Sequence, residues 1–225
     1  MIKSEKVNAR VFEWQEDSLA AAANNAQVEG AAFTAGTLTA TTMRTNNTQI
    51  LSKVFEVSAT ADAVKTYGRA KETAYQMSKA LKEIKRDLER AYIGVDNAAV
   101  TGNSSTAREM ASATQQITTD VDAGSNATDP LTEAKLLTLG ETVFNNGSDP
   151  SVFMIKPADA QIVAGFTASS GRNRTFNDGN TSLVNVIDLY VSPYGEYKVV
   201  LNRHQLTTHA FLIDPAMFRS SVLRP

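Results

Sequence analysis

The sequence predicts an α+β chain in which a long β-hairpin and one long charged helix precede a compact mixed unit. Three observations predict it. Two runs of β-branched and aromatic residues flank a stretch of small ones; a later stretch repeats apolar residues at intervals of four and three; beyond residue 131, short apolar runs alternate with turn residues.

The 225 residues, 24.2 kDa, suffice for one large domain or two small ones with a real core. Hydrophobic residues make up 42%, ordinary for a folded soluble protein, and a formal net charge of −2 marks out neither a strong nucleic-acid binder nor a partner of acidic surfaces. Cysteine is absent, which removes disulfides, thiolate nucleophiles and thiolate zinc sites and suits synthesis in a reducing cytoplasm. No secretory signal is expected, and no apolar run approaches the roughly 18 residues that span a bilayer.

Residues Val11-Phe12-Glu13-Trp14-Gln15-Glu16 suit a strand. Residues 19–42 are dominated by Ala, Thr, Gly and Asn. Small side chains bury little area, while ordering a residue costs about 1–2 kcal/mol of backbone entropy. This stretch is therefore expected to order only against another surface. The chain resumes with Gln49-Ile50-Leu51-Ser52-Lys53-Val54-Phe55-Glu56-Val57, expected to be the returning arm of an antiparallel hairpin whose tip is the small-residue stretch.

Ala70, Ala74, Met77, Leu81, Ile84, Leu88 and Ala91 fall on one helix face. A helix over 69–92 would be about 36 Å long at 1.5 Å per residue. A shorter helical turn over 60–67, stopped by Gly68, precedes it. The stripe is one residue wide per turn, so Met77, Leu81, Ile84 and Leu88 are expected to pack along a single seam. The other faces are charged, with Glu83–Arg86 and Asp87–Arg90 expected as pairs three residues apart. Between 69 and 90 seven basic residues face four acidic ones, which fits a solvated face or a weakly basic surface (Lys79, Lys82, Lys85, Arg86) turned to nucleic acid.

Gly94 ends this helix, and a polar segment without period runs to residue 128. Asp129-Pro130 is expected to open a helix over 131–145, closed by Asn146-Gly147. Residues 151–155 read as a buried strand, and Pro157 as the start of a helix carrying Ile162, Val163 and Phe166 and ending near Gly165. After a polar loop over 171–181, strands 184–191 and 196–201 are joined by the turn Ser192-Pro193-Tyr194-Gly195, and a strand over 210–213 precedes Asp214-Pro215.

Catalytic chemistry is hard to assemble from these residues. His204 and His209, five apart, share neither a helix face nor a strand face and read as structural. Phosphate-cradling glycine patterns and Gly-x-Ser-x-Gly are absent, and carboxylates are scattered. No catalytic residue, cofactor or metal is expected, and the chain is not read as an enzyme.

The segments Phe12-Glu13-Trp14-Gln15-Glu16-Asp17-Ser18-Leu19-Ala20-Ala21-Ala22, Asn47-Thr48-Gln49-Ile50-Leu51, and Ala74-Tyr75-Gln76 running to Lys85-Arg86-Asp87 resemble one family, as do Asn202-Arg203, Asp214-Pro215 and Leu223-Arg224-Pro225. It is the SU10 phage major capsid protein family, among the tailed-phage capsid proteins with the Hong Kong 97 fold. The resemblance covers most of the chain and rests on the order and spacing of these words. It implies a short N-terminal arm (1–10), an extended loop (11–58) lying over a neighbouring subunit, a peripheral domain (59–130) with spine helix 69–92, an axial domain (131–214), and a return to the peripheral domain (215–225). Trp14, Leu19, Gln27, Thr42 and Ile50 are then expected at subunit contacts.

The implied function is self-assembly, through hexamers and pentamers, into the icosahedral shell around the double-stranded DNA of a tailed phage. Weak non-specific DNA contact is expected. Scaffold, portal and decoration proteins are the other implied partners, with assembly in the host bacterial cytoplasm, no membrane and a final place in the virion. Family members carry a longer N-terminal arm and continue past the Leu-Arg-Pro; the resemblance implies either a shortened member, whose peripheral sheet another chain would complete, or a sequence that omits both ends. The fold's founding member joins its subunits by a lysine–asparagine bond from the extended loop; here no lysine lies between Lys6 and Lys53. Two other readings compete: an encapsulin-like nanocompartment shell with the same fold, and a β-rich adhesion or fibre component, which would not need the long helix.

Overall fold

The structure is a computed structural model and describes residues 3–32, 35–36, 38–64, 67–68, 71–122, 129–166 and 188–224. The chain runs β1 (Lys3–Lys6), β2 (Val11–Glu16), β3 (Thr42–Asn47), α1 (Ala59–Ala63), α2 (Glu72–Glu89), α3 (Ala113–Gln116), α4 (Glu133–Asn145), β4 (Val152–Ile155), α5 (Ala160–Ala164), β5 (Leu189–Ser192), β6 (Gly195–Leu201), β7 (Phe211–Ile213) and β8 (Arg219–Val222). A π-type turn, Arg90–Gly94, continues α2, and a 3-10 turn, Pro157–Asp159, leads into α5. This is the mixed α and β content expected.

The outgoing hairpin strand lies where its pattern put it; the returning strand does not. β3 pairs antiparallel with β2 from Val11↔Asn47 to Glu16↔Thr42. Residues 49–57, expected as the return arm, form no strand. The ladder closes at the Thr48 amide, which donates to the Arg10 carbonyl at 2.9 Å, and the segment beyond it is largely exposed. Ile50 (79%) and Val54 (95%) stay exposed. Thr42 therefore begins a strand rather than ending a loop tip.

The long helix is shorter than its apolar repeat: α2 covers 18 residues, about 27 Å, before the turn ending at Gly94. Arg69 and Ala70 lie outside the described residues. Helix α1 is five residues long, capped by Ser58, whose hydroxyl accepts from the Ala61 amide at 3.2 Å.

β4 is central in a four-stranded sheet of order β5-β6-β4-β7, parallel to β6 and antiparallel to β7. Alternation along β4 buries Phe153 and Ile155 against Leu136 of α4, Val163 of α5, Tyr190 and Tyr197. Helix α4 is capped by Thr132, which accepts from the Lys135 amide, and not by the expected Asp129-Pro130; Gly147, at φ +85°, follows its end. Gly140 faces Tyr197 so closely that an added Cβ would stand 2.7 Å from the phenol oxygen. Ser192 and Gly195 close the β5–β6 hairpin as the turn residues predicted. The segment 184–187, the loop over 171–181, residues 123–128 and Pro225 lie outside the described residues.

One sheet was invisible in the sequence. β1 pairs in parallel with β8, from Lys3↔Arg219 to Lys6↔Val222, bringing the two ends of the chain together. Val7, which is buried, extends the ladder to Val222, and Tyr92 shares a hydrogen bond with Ser220 that ties the pair to the end of the long helix.

Candidate assembly surfaces

The hairpin is fastened at its base and free at its tip. The Asn46 side chain behaves as a strand edge: Oδ1 accepts from the Ala111 amide at 2.8 Å and Nδ2 donates to the Ala111 carbonyl at 3.3 Å. Arg108 Nε donates to the Thr48 carbonyl, and Gln49 Oε1 accepts from the Met110 amide. Farther out, Trp14 stacks on Phe12 with ring centres 5.5 Å apart, and Glu16 accepts from both Trp14 Nε1 and Arg44 Nε. Beyond β2 the support stops. Leu19 (99%), Val28 (81%) and Leu38 (95%) stand in solvent, and Gln27 is exposed. The five residues singled out for this region thus divide into Trp14 and Thr42 on the paired strands and Leu19, Gln27 and Ile50 without cover.

The seam of α2 is covered along only half its length. Ile84 and Leu88 are half-buried, but Met77 is 53% and Leu81 56% exposed. The expected packing of Met77 and Leu81 is therefore not made among the described residues.

On the opposite side the charges arrange themselves differently from expectation. Neither i, i+3 pair forms. Glu83 lies 3.8 Å from Lys79, and Asp87 takes Lys53 at 2.7 Å. That contact raises the Lys53 pKa, chiefly through the Asp87 hydrogen bond and charge, and holds the amine protonated. Lys82, Lys85 and Arg86 are exposed; Arg86 turns into a cleft of about 430 Å³ lined by Lys53, Glu83, Arg86, Asp87, Arg90, Gly94, Arg203 and His204. Arg90 and Asp87 also line a neighbouring recess of about 270 Å³ with Asn97 and Glu109.

The two halves of the chain meet at Asn202, which sequence reasoning noticed only as part of a family word. Its side chain is buried (8% exposed), with Nδ2 donating to Glu89 Oε1 at 2.6 Å and Oδ1 accepting from the His204 amide at 2.8 Å. Its own amide donates to the Ile155 carbonyl at 2.9 Å. Leu206 then donates to the Ile93 carbonyl, and Gly94 comes so near the His204 carbonyl that a Cβ there would collide with it. A buried Asn beside a strand end is the signal that could have marked this junction.

The remaining polar groups serve packing. The buried Tyr190 hydroxyl donates to Glu133 Oε1 at 2.9 Å; burial first, then the carboxylate, push its pKa well above the ordinary tyrosine value. His209 stacks on Phe211, and His204 donates its amide to Asn202. Among the described residues, no three His, Asp or Glu side chains gather to hold a metal, and no helix is long and apolar enough to cross a membrane.

The exposed hairpin residues, the half-covered helix seam and the arginine-lined cleft are the surface features that stand out among the described residues. The model of the SU10 major capsid protein family matches residues 1–225, and the chain is 30% identical over 273 aligned residues to the major capsid protein of Escherichia phage Phieco32, covering all of this chain and 78% of that protein. The chain belongs to the SU10 major capsid protein family, a structural family, and its function is that of a phage capsid subunit.

Proposed function

We propose that this capsid subunit has the Hong Kong 97-type architecture and closes, through hexamers and pentamers, an icosahedral shell around the double-stranded DNA of a tailed phage. In this reading residues 11–58 lie over a neighbouring subunit, and 59–130 with 215–225 form the peripheral domain around the spine. Residues 131–214 form the axial domain at capsomer centres. Met77 and Leu81 on α2 and Leu19, Gln27 and Ile50 on the loop become covered by the neighbour. Lys79, Lys82 and Lys85 make weak, salt-sensitive contacts with packaged DNA. Assembly takes place in the host cytoplasm, and the contacts between subunits are non-covalent. No group is assigned a catalytic role.

One observation carries the reading: the large apolar side chains left uncovered. Leu19 (99%), Leu38 (95%) and Val54 (95%) stand almost wholly in solvent, and Val28, Ile50, Met77 and Leu81 are more than half exposed. Burying such a side chain stabilises by about 1.5–3 kcal/mol, which suits a subunit covered by its neighbours. The hairpin tip supports the same view, since an unpaired extended segment is suited to strand addition.

Negative-stain microscopy of the purified protein, with and without the loop, tests this. Closed icosahedral particles or hexameric and pentameric capsomers from the intact chain are expected. Replacing residues 18–41 with a short turn should leave soluble, folded subunits that do not assemble. Normal shells from the loopless chain would remove the loop from its assigned role.

A further inference from the structure

We propose that the arginine cleft is a receptor for carboxylates of a second copy of this chain, and that Glu13 and Asp17 at the neighbour's hairpin enter it. The inference rests on the shell-subunit reading and names the contact that reading leaves open.

The cleft is an unbalanced site. Four bases (Lys53, Arg86, Arg90, Arg203) and two acids (Glu83, Asp87) line it. Both acids have lysine partners already, Asp87 through Lys53 and Glu83 through Lys79. Among the described residues, Arg86, Arg90 and Arg203 have no ion pair. Arginines converging on a recess whose two carboxylates are already paired with lysines repel one another, and each offers a planar fork of donors that fits a carboxylate or a phosphate. The shortage is local, because the chain has 24 acidic residues for 22 basic ones.

At about 430 Å³ the recess has room for one or two acidic side chains. The same chain supplies a matching donor. Glu13, Glu16 and Asp17 place three acids within five residues, and no other window of that length has three. Glu16 is taken by Arg44. Glu13 and Asp17 are exposed and form no ion pair among the described residues. Among the described residues, none of the β2–β3 hairpin (11–47) lines the cleft of its own subunit, so a copy fills it from outside.

A charge exchange tests the pairing. Arg90→Glu with Arg203→Glu reverses the cleft; Glu13→Lys with Asp17→Lys reverses the donor. Each reversed chain should keep the melting temperature of the wild-type subunit, because all four side chains are exposed. Each should raise the concentration needed for assembly by about tenfold or more, since the contact repeats around the shell. The chain carrying all four changes should assemble within a few-fold of wild type. Assembly of either reversed chain at the wild-type concentration, or failure of the combined chain to recover although it folds, would overturn the proposal. Reversed-cleft shells that form normally but no longer bind a short DNA duplex would do so too, and would assign the arginines to phosphate. A wild-type chain that forms no particles in the same assay refutes the shell reading itself, an outcome distinct from indifferent variants.

Discussion

Replacing Asn202 by Ala should loosen the junction between the long helix and the sheet without touching the apolar core. Three side-chain hydrogen bonds disappear, to Glu89 at 2.6 Å, from the His204 amide at 2.8 Å and a weak one to Met154 Sδ at 3.5 Å. A bond to a charged group contributes about 1.5–3 kcal/mol and a neutral one about 0.5–1.5 kcal/mol. Glu89 is half-buried and can turn partly to water, so the lower part of the sum applies: about 2–3 kcal/mol. In a chain of this size that lowers the melting temperature by about 4–12 °C. Thermal unfolding of the soluble subunit, followed by circular dichroism, reads it directly. Asn202→Asp sharpens the test. It keeps the acceptor for His204 but sets a second carboxylate against Glu89, so it should be as damaging as Ala at pH 7 and recover towards pH 4, where carboxylates begin to take up protons. A melting point within 1 °C of wild type for the Ala variant, or an Asp variant of wild-type stability at pH 7, would refute the assignment of Asn202 as the tie.

Tyr190→Phe should cost about 1.5–3 kcal/mol at neutral pH by removing the hydroxyl from Glu133. Because the folded pKa is raised, the stabilisation is complete below the unfolded value near 10 and fades as pH rises above it, so urea titrations at pH 8 and pH 11 should find the gap between the two proteins narrowing. Hydrogen exchange should find residues 19–42 unprotected in the isolated subunit up to β3 and protected in shells; equal protection in both would sink the loop assignment. Mature shells boiled in detergent should run as single subunits near 24.2 kDa, since Lys53 is engaged by Asp87 of its own subunit at 2.7 Å and no other lysine lies between Lys6 and it; a covalent ladder surviving reductant would overturn this. Leu81→Asp, at 56% exposure, should leave subunit stability within about 0.5 kcal/mol yet block assembly, whereas Lys82→Ser should do neither; normal Leu81→Asp shells would show that the seam stays uncovered.

What could be read from the sequence was whatever a short window decides. Alternation in Val11–Glu16, the apolar repeat of the long helix and the Ser192–Gly195 turn each encode their own geometry, and all three are present. The family was legible as well, through the order of several weak words. Failures came where a distant partner decides. Residues 49–57 have the composition of a strand, but a strand needs a ladder, and β3 had already taken β2. Lys3–Lys6 has four exposed, polar residues and no strand signal, yet pairs with a segment more than two hundred residues away. The helix pairs failed for the same reason: Lys53, remote in sequence, claimed Asp87, and the local arithmetic of Asp87 with Arg90 no longer applied.

The dipeptide Asn202-Arg203 joins the two scales of the structure. Asn202 turns inward and binds helix, sheet and loop together through Glu89, Ile155 and His204; Arg203, the next residue, turns outward into the cleft. A flexible arginine on a flexible loop would lose most of an ion pair's energy to side-chain and backbone ordering. Here the ordering is done during folding, because the backbone of residue 203 is held between a buried Asn and the His204 segment that closes on Gly94. Under the proposed pairing, a load applied at Arg203 passes through Asn202 to the long helix and, through Ile155, to the central strand. Asn202→Ala should then weaken assembly at temperatures where the subunit is still folded, and a loss larger than its exposed neighbours' share would place the coupling in that one buried amide.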